Sequence, residues 1–399
     1  MISEKMISLV ENSSVIREMF EEGKRLAKLY GADNVYDFSL GNPSVEPPKE
    51  VKDAIIDVIT KEDATYIHGY MNNSGYPDVR EAVANHLNQI HGTSFTEDSI
   101  LMTVGAAGGL NVILKTLLNP GDEVITFAPF FGEYKNYVDN YDGKLVVISP
   151  NVEDFSPKLD EFEKKISPLT KAVIINTPNN PTGVVYSEDM IKRLSSILKK
   201  KEEEYQTSIY LLSDEPYREL VYDGVWVPYV TKYYHNTIVV YSYSKSLSLA
   251  GERIGYLVMP KELDSYDEIV KGANVANRIL GFVNAPSLIQ RVLPRCLDLQ
   301  IEVGVYNTNR ELLYNKLTEY GYSCIKPEGA FYLFVKALEE DDKAFAKKAK
   351  EHNILLVPGS AFGCSGYVRL AYCVSQKVIE GSLEGFKKLA EEYKNRPNI

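Results

Sequence analysis

One lysine of this 399-residue chain stands in a setting suited to covalent chemistry. Lys245 lies in the stretch SYSKSLSLAGERIG, directly after the apolar run TIVVY and eight positions before Arg253. A lysine amine that is desolvated beside other cations loses basicity and becomes a nucleophile toward carbonyl compounds. Ser242 and Arg253 would then complete an anion site next to it, because arginine gives charge-assisted hydrogen bonds to anions. The alternative for any single lysine is a solvated surface side chain.

Three small residues follow a second apolar run. In LMTVGAAGGLNVILKTLL, a predicted strand is followed by a glycine turn and a helix, with Gly105, Ala106 and Ala107 in the turn. The backbone N–H groups and the dipole of a helix that begins there would receive a phosphate. Close packing of the helix against the sheet explains the same small residues equally well, and the spacing is not that of a dinucleotide-binding fingerprint.

An aromatic cluster and an asparagine turn follow two further predicted strands. Phe130, Phe131 and Tyr134 in FAPFFGEY offer an aromatic face to a planar ligand, although such residues also serve in protein cores. Asn180 lies in NTPNNPTG, a composition that is typical of a tight turn with or without a ligand. Neither segment identifies a ligand by itself.

An acidic residue ends another apolar run. Asp214 lies near the end of LLSDEPY, and Tyr217 follows three residues later. Burying an unpaired carboxylate is costly, so Asp214 needs a partner. A helix cap and the basic nitrogen of a ligand ring are the two candidates.

The elements that would position these residues alternate in a regular way. From about residue 50 to 290, amphipathic helical segments alternate with short apolar runs bounded by turn residues: ILMTVG, EVITFAP, KAVIINTP, SIYLLSDEPY, TIVVYSYSK and RIGYLVM. This alternation predicts a parallel or mostly parallel sheet that is covered by helices on both faces. Ligands bind such sheets beyond the carboxyl ends of the strands, where the residues described above cluster.

The pattern changes after about residue 291. The runs GYSCIKPEGAFYLFVKA, NILLVPG and YVRLAYCV have the character of strands between helical stretches, which predicts a smaller α+β domain. We therefore expect an α/β protein whose large three-layer domain, with a mostly parallel sheet, covers residues 47–290. Residues 1–46 and 291–399 would form the smaller domain together with the N-terminal segment.

The composition argues against several other classes of protein. The net charge is −11 without a basic stripe, which makes nucleic acid a poor candidate partner. No apolar stretch approaches the ~20 residues that span a bilayer, and the N-terminus lacks the pattern of a secretory signal, so we expect a cytoplasmic protein without a membrane role. The four cysteines and five histidines are scattered without metal-ligand spacing, so no metal site is expected.

Together these residues describe one ligand. The glycine turn, Ser242 and Arg253 require an anion, and the aromatic face requires a flat ring. Asp214 requires a basic ring nitrogen, and Lys245 requires a carbonyl. Pyridoxal 5′-phosphate (PLP) has all four features, and proteins anchor it with a lysine Schiff base and an aspartate on the pyridinium nitrogen. A nucleotide-binding Rossmann protein would leave Lys245 without a role.

The ordered motifs resemble those of the class I/II aminotransferases of fold type I. The resemblance runs from about residue 35 to the C-terminus through SLGNPS, GYMNNSGYPDVREAVA, VGAAGG, NTPNNPTG, SDEPY, SYSKSLSLAGERIG and YVRLAY. It implies a PLP-dependent enzyme that moves an amino group from an L-amino acid to a 2-oxo acid. A C–S β-lyase of the same fold is the enzymatic alternative, and a PLP-binding regulator is the alternative without catalysis.

The resemblance also assigns roles to individual residues. Lys245, Asp214 and Tyr217 would be catalytic: Lys245 would hold the cofactor and move the substrate proton, and Asp214 would keep the ring nitrogen protonated. Arg369 would bind the substrate α-carboxylate with two hydrogen bonds. The other matches are Asn180 and Tyr217 at the ring hydroxyl, Phe131 at the stacking position, Gly105, Ala106, Ala107, Ser242 and Arg253 at the phosphate, and Gly41 and Asn180 beside the substrate.

Two positions depart from the pattern of the family. The glycine turn offers only amides where relatives often have hydroxyl groups, so phosphate binding would depend more on the backbone, Ser242 and Arg253. The stacking position is usually Trp or Tyr but is Phe131 here. Neither departure removes the chemistry.

Two further residues concern the oligomer and the substrate. Tyr70 matches a tyrosine that reaches the cofactor phosphate of the neighbouring subunit, which implies a homodimer with shared active sites; a core or surface tyrosine is the alternative. Arg278 lies near the stretch that supplies an arginine in dicarboxylate-specific relatives, although Ile279 occupies the matching position. We expect aspartate-type donors ahead of aromatic or alanine-type donors, with a plain surface role as the alternative for Arg278.

Overall fold

The computed structural model describes residues 2–11 and 15–395 and contains three β-sheets. The strands are, in chain order, β1 (Tyr36–Asp37), β2 (Ile100–Thr103), β3 (Glu123–Phe127), β4 (Lys144–Ile148), β5 (Thr170–Asn176), β6 (Tyr210–Asp214), β7 (Thr237–Ser242), β8 (Gly255–Val258), β9 (Tyr332–Lys336), β10 (Ile354–Leu355), β11 (Val357–Pro358) and β12 (Tyr367–Ala371). The α-helices are α1 (Glu4–Glu11), α2 (Val15–Tyr30), α3 (Lys49–Lys61), α4 (Ala64–His68), α5 (Pro77–His91), α6 (Gly105–Leu117), α7 (Glu133–Asp139), α8 (Leu159–Lys165), α9 (Glu188–Tyr205), α10 (Tyr243–Ser246), α11 (Tyr266–Ile279), α12 (Ser287–Val292), α13 (Val303–Tyr320), α14 (Asp342–Ala349) and α15 (Gln376–Lys394).

The largest sheet has seven strands in the order β2-β8-β7-β6-β5-β3-β4. The neighbours from β7 to β4 are all parallel, whereas β8 is antiparallel to both β2 and β7. The prediction of a mostly parallel α/β sheet is therefore confirmed. The reversed strand has a consequence for chemistry, because the short link from β7 to β8 must turn back at the carboxyl end of β7, and Lys245 lies in this link.

Burial explains the sequence patterns that predicted the strands. Every residue of β3, β6 and β7 is buried, as expected for strands that are covered on both faces. The sequence interpretation missed β4, which lies at the edge of the sheet and begins with an exposed lysine. Its sequence KLVVI contains an apolar run, so the strand signal was present in the sequence and was overlooked.

The two smaller sheets contain strands from distant parts of the chain. β9, β11 and β12 form an antiparallel sheet in the order β11-β12-β9, and β1 pairs in parallel with β10. An apolar cluster beneath them includes Phe38 from the N-terminal segment together with Phe331 and Phe386. The N-terminal segment thus packs with the C-terminal strands, while the exact domain limits at residues 46/47 and 290/291 stay predictions.

None of the helices in the described residues is both long enough and apolar enough to cross a membrane.

Candidate active site

A cavity of about 250 Å³ lies at the carboxyl ends of the central parallel strands. Its wall contains residues from the N-terminal segment, from the loops after β3, β5 and β6, from the start of α6, and from β9 and β12. Nine of the residues that the sequence singled out belong to this wall: Gly41, Ala106, Ala107, Phe131, Asn180, Asp214, Tyr217, Lys245 and Arg369.

Lys245 lies on the short helix α10, which begins directly after β7. Its Nζ donates a hydrogen bond to the carbonyl oxygen of Gly41 at 2.7 Å. Burial, together with the smaller effects of the nearby cations Arg369 and Arg253, lowers the pKa of Lys245 to about 8, against the opposing effect of Cys373. The side chain is therefore not a solvated surface lysine, and much of it is neutral amine in mildly alkaline solution.

Asp214 is the last residue of β6 and is 5% exposed. Its Oδ2 accepts a hydrogen bond from the Tyr134 hydroxyl at 2.5 Å, while its Oδ1 is buried without a partner among the described residues. Burial raises the pKa of Asp214 to about 7, against the opposing effect of the Tyr134 hydrogen bond. The partner of Asp214 is thus the neutral phenol of Tyr134, which is neither a helix cap nor a cation. The buried Oδ1 of Asp214 remains available to a hydrogen-bond donor of a ligand.

Arg369 lies on β12 and is 2% exposed. Its Nη1 donates to Asn180 Oδ1 at 3.0 Å and its Nη2 donates to the Ser39 carbonyl oxygen at 2.5 Å. Its Nε is buried and has no acceptor within the described part of the chain. Burial lowers the pKa of Arg369, and among the described residues no carboxylate pairs with this guanidinium to offset the effect. An anion in the cavity would supply the missing acceptor.

The first turn of α6 and the lysine-bearing link form a second cationic region. Gly105 begins α6 with a φ of +73°, and a Cβ there would lie 2.8 Å from Nη2 of Arg253. Arg253 itself donates through Nη2 to the Val104 carbonyl oxygen at 3.3 Å. Only glycine therefore lets the exposed arginine approach the start of the helix, where the first N–H groups lack helical partners.

The hydroxyl groups of this region are close to each other. Ser242 Oγ lies 2.7 Å from Ser244 Oγ and also accepts from the Ser244 backbone N–H at 3.2 Å, which caps α10. The sequence interpretation named Ser242 but not Ser244. The signal was present as the S-x-S-K spacing of residues 242–245.

Aromatic side chains cover further parts of the wall. Phe131 lies in the wall with its ring edge-on to Tyr134, at a centroid distance of 5.6 Å, whereas Phe130 is 8% exposed and packs in the core instead. The Tyr217 hydroxyl lies 2.8 Å from the Tyr332 hydroxyl. Tyr332 had no sequence signal, because it lies in an ordinary strand pattern more than 100 residues away from Tyr217.

Tyr70 and Arg278 lie apart from the cavity wall and also from the region of Gly105, Ser242 and Arg253. Tyr70 is 94% exposed and lies in a surface depression with Phe282 and Val283. Arg278 is an exposed residue near the C-terminus of α11. Within a single chain, neither residue reaches the cavity.

The sequence between residues 33 and 386 matches the model of the family Aminotransferase class I and II. The chain belongs to this family. It is 30% identical over 393 residues to an aspartate aminotransferase of Pyrococcus horikoshii, with 96% of each chain covered. It is 29% identical over 354 residues to an aspartate/prephenate aminotransferase of Thermus thermophilus, with 88% of this chain and 89% of the relative covered. A solved aminotransferase structure from Eubacterium rectale has a TM-score of 0.96 and 46% identity, with 99% of this chain and 100% of that chain covered.

This aminotransferase depends on PLP, and the residues present fit that cofactor. The buried Oδ1 of Asp214 lacks a donor, which a protonated ring nitrogen supplies. Gly105 and Arg253 leave a cationic cradle at the start of a helix, which suits a phosphate. Lys245 has an amine of lowered pKa, which suits reaction with an aldehyde.

A cluster of possible metal ligands lies apart from the aminotransferase cavity. Among the residues that the structure covers, Glu202, His235 and Asp264 bring ligand atoms within 4.8 Å of one another. The side-chain amide of Asn236 donates to Glu202 Oε1 at 2.7 Å and to Asp264 Oδ2 at 2.8 Å. Because both carboxylates already have donors, we assign this cluster a supporting role in the fold.

The lowered pKa of Lys245 predicts how the cofactor-free protein reacts with PLP. The neutral amine is the reactive form, so its fraction and the attachment rate should rise with pH through about pH 8. An ordinary lysine would show the same rise only near pH 10.4. Borohydride reduction at a series of pH values, followed by peptide mapping, measures the rate at residue 245. A midpoint near 10 would contradict the effect of burial, and the exposed Lys261 is the internal control.

Proposed function

We propose that Lys245, Asp214 and Arg369 carry out transamination between an L-amino acid and a 2-oxo acid. One observation carries this proposal. Asp214 Oδ1 and Arg369 Nε are both buried and unpartnered among the described residues, and both side chains line the cavity that contains Lys245. A carboxylate, a guanidinium and an amine of lowered pKa around one cavity match the needs of an amino-acid substrate on PLP.

The proposed roles follow from the charge of each group. PLP, when bound, supplies the carbonyl that accepts the amino group and an electron-withdrawing ring that acidifies the substrate α-carbon. Lys245 Nζ takes the proton from this carbon, because it is a base of suitable pKa at the centre of the wall. Asp214 Oδ1 accepts a hydrogen bond from the ring nitrogen and so holds a proton there. Tyr217 and Asn180 hold the ring hydroxyl, and Phe131 covers the ring face.

Arg369 is proposed to bind the α-carboxylate of each substrate. Its orientation is fixed by Asn180 and by the Ser39 carbonyl oxygen. Gly41 lines the same cavity as Arg369, and a Cβ on Gly41 would lie 2.1 Å from the Tyr332 hydroxyl oxygen. We infer that Gly41 leaves room for the substrate backbone as well. The phosphate is assigned to Gly105, Ala106, Ala107, Ser242 and Arg253, with Ser244 added to this set.

Aspartate-type donors are the first candidates for the substrate. Relatives named aspartate aminotransferase support this choice. A distal carboxylate needs a second cation when it is desolvated. In the part of the chain that the structure describes, the cavity wall contains Lys245 and Arg369 as its cations, so the second cation must come from elsewhere.

The cavity wall also favours a second candidate. Leu40, Leu110 and Tyr137 give it an apolar and aromatic lining, which suits an uncharged donor side chain. We therefore include aromatic and aliphatic amino acids, together with aspartate, among the proposed amino donors.

We propose that the aminotransferase acts as a cytoplasmic homodimer with shared sites. Tyr70 is almost fully exposed in one chain, beside the half-buried residues Phe282 and Val283. Arg278 lies four residues before Phe282 in the chain, and we propose that it faces the same neighbouring subunit as Tyr70. A neighbouring subunit that meets this side would receive Tyr70 at its phosphate and Arg278 near its substrate.

The assignment of Lys245 predicts the result of a spectroscopic titration. Adding an amino acid without a 2-oxo acid should bleach the visible band of the bound cofactor, and adding a 2-oxo acid should restore it. Lys245→Ala should lower kcat by at least about 10²- to 10⁴-fold, because it removes the proton-transfer group. Lys261→Ala, on the surface, should leave the titration unchanged. Undiminished turnover by Lys245→Ala would exclude the mechanism, and release of pyruvate and ammonia without an acceptor would favour the C–S lyase.

The proposed second cation predicts a selective effect on acidic donors. With 2-oxoglutarate as acceptor, Arg278→Ala should lower kcat/KM for aspartate about 10-fold and leave alanine and tyrosine unchanged, since only aspartate has a distal charge to pair. Steady-state kinetics with the four donors aspartate, alanine, tyrosine and lysine measure this. Arg193→Ala, an exposed arginine on α9, is the matched control. An equal loss for all donors, or no loss for aspartate, would remove Arg278 from the substrate site.

The shared-site proposal predicts the activity of hybrid dimers. Tyr70→Phe should weaken phosphate binding and reduce activity, while Tyr66→Phe should not. In a dimer of one Lys245→Ala subunit and one Tyr70→Phe subunit, one site is doubly defective and the other is intact. Hybrid activity should therefore reach about half that of wild type per dimer, above the Tyr70→Phe homodimer. Activity at half the Tyr70→Phe level would place Tyr70 in its own subunit's site, and a fully active monomer would rule out the dimer.

A further inference from the structure

Tyr332 lies where three functional segments meet. It is the first residue of β9, is 3% exposed, and belongs to the sheet that contains Arg369. In this sheet Arg369 pairs with Phe334 and Ala371 pairs with Tyr332, so the arginine and the tyrosine are diagonal neighbours on one face. The antiparallel register therefore places the phenol ring under the guanidinium.

The ring of Tyr332 holds the proposed carboxylate-binding group. Cζ of Arg369 lies 4.5 Å from the centroid of the Tyr332 ring. A guanidinium over an aromatic face is held more strongly when both groups are desolvated, as they are here. The ring centroid of Phe362 lies 4.9 Å from Cζ of the same guanidinium, so two aromatic rings hold the guanidinium in place.

The hydroxyl of Tyr332 contacts a different part of the site. It lies 2.8 Å from the hydroxyl of Tyr217, which follows β6 of the large sheet. Burial raises the pKa of Tyr332 to about 12, although Arg369 acts against this shift, and burial also raises the pKa of Tyr217 well above its ordinary value. Both phenols therefore keep their protons, and one hydroxyl must donate to the other.

We propose that Tyr332 is a positioning residue that couples the substrate-binding arginine to the cofactor-binding tyrosine. Its ring orients Arg369, and its hydroxyl donates to the Tyr217 oxygen. With its oxygen occupied in this way, the proton of Tyr217 is free to point into the cavity. This inference depends on the roles of Arg369 and Tyr217 in the proposed function.

Two substitutions separate the ring from the hydroxyl. Tyr332→Phe keeps the ring over Arg369 and removes the donor to Tyr217. It should shift the pH midpoint of the visible absorbance of the bound cofactor and lower kcat, with KM for the amino donor unchanged within about 2-fold. Tyr332→Leu removes the ring as well. It should additionally raise KM for the amino donor about 10-fold, since a desolvated cation–π contact is lost.

The control is another buried phenol outside the site. Tyr322→Phe removes the hydrogen bond that Tyr322 donates to the Phe386 carbonyl oxygen at 2.9 Å. It should lower thermal stability without changing KM or the absorbance titration. If Tyr332→Leu does not fold, Tyr332→Met replaces it, and Tyr332→Phe tests the hydroxyl independently.

The possible results distinguish this inference from the proposed function. Unchanged absorbance titration in Tyr332→Phe, or equal KM in the Phe and Leu variants, would overturn the coupling. Loss of stability alone, as in Tyr322→Phe, would show that Tyr332 is merely structural and would also overturn it. Active Lys245→Ala protein would refute the proposed function itself. Loss of turnover in Lys245→Ala combined with normal Tyr332 variants would refute only the role of Tyr332.

Discussion

The buried carboxylate of Asp214 imposes the main physical constraint on this aminotransferase. Leaving a charged oxygen inside a protein without a donor is costly, and only one of the two oxygens has a hydrogen bond from the residues that the structure describes. Burial raises the pKa of the group to about 7, which shows how unfavourable the charged form is at this buried position. A positively charged donor in the cavity would relieve this cost, which supports the proposed contact of Asp214 with a protonated ring nitrogen. Arg369 imposes the opposite constraint, because its buried Nε requires an acceptor.

The topology of the sheet brings these opposite charges to one cavity. Asp214 ends a central parallel strand, whereas Lys245 lies in the link that turns back from β7 into the antiparallel β8. Arg369 comes from the small sheet and reaches the same place from the other side. Parallel strands have their carboxyl ends at the same edge of the sheet. Because β8 runs antiparallel to β7, the link between these two strands stays at that edge. The cavity therefore depends on the packing of two sheets and cannot be built by either one alone.

Neutral tyrosine side chains contact the charged groups at this edge of the sheet. Tyr134 donates to Asp214, and Tyr332 contacts both Tyr217 and Arg369. Such phenols hold the ionised groups in place without adding charge. Asp214 Oδ1 and Arg369 Nε therefore stay available to hydrogen-bonding groups of ligands. The sequence placed Tyr134 in an aromatic face beside Phe131, but the structure uses its hydroxyl for Asp214. An aromatic residue has both a ring and a polar end, and only three-dimensional contacts decide which end is used.

The sequence by itself determined the fold class and the chemical groups at the strand ends. Continuous apolar runs marked the buried strands because both faces of the sheet are covered, and the polar residues after these runs stood out against them. Contacts between distant segments were decided only by the tertiary structure: the Gly41 carbonyl at Lys245, the Asn180 amide at Arg369, and Tyr332 between Tyr217 and Arg369. The position of β4 at the edge of the sheet, paired with β3, was likewise seen only in the structure. Periodicity reports how much of each element is buried, whereas the identity of a distant partner depends on sheet packing and register, which no local pattern encodes.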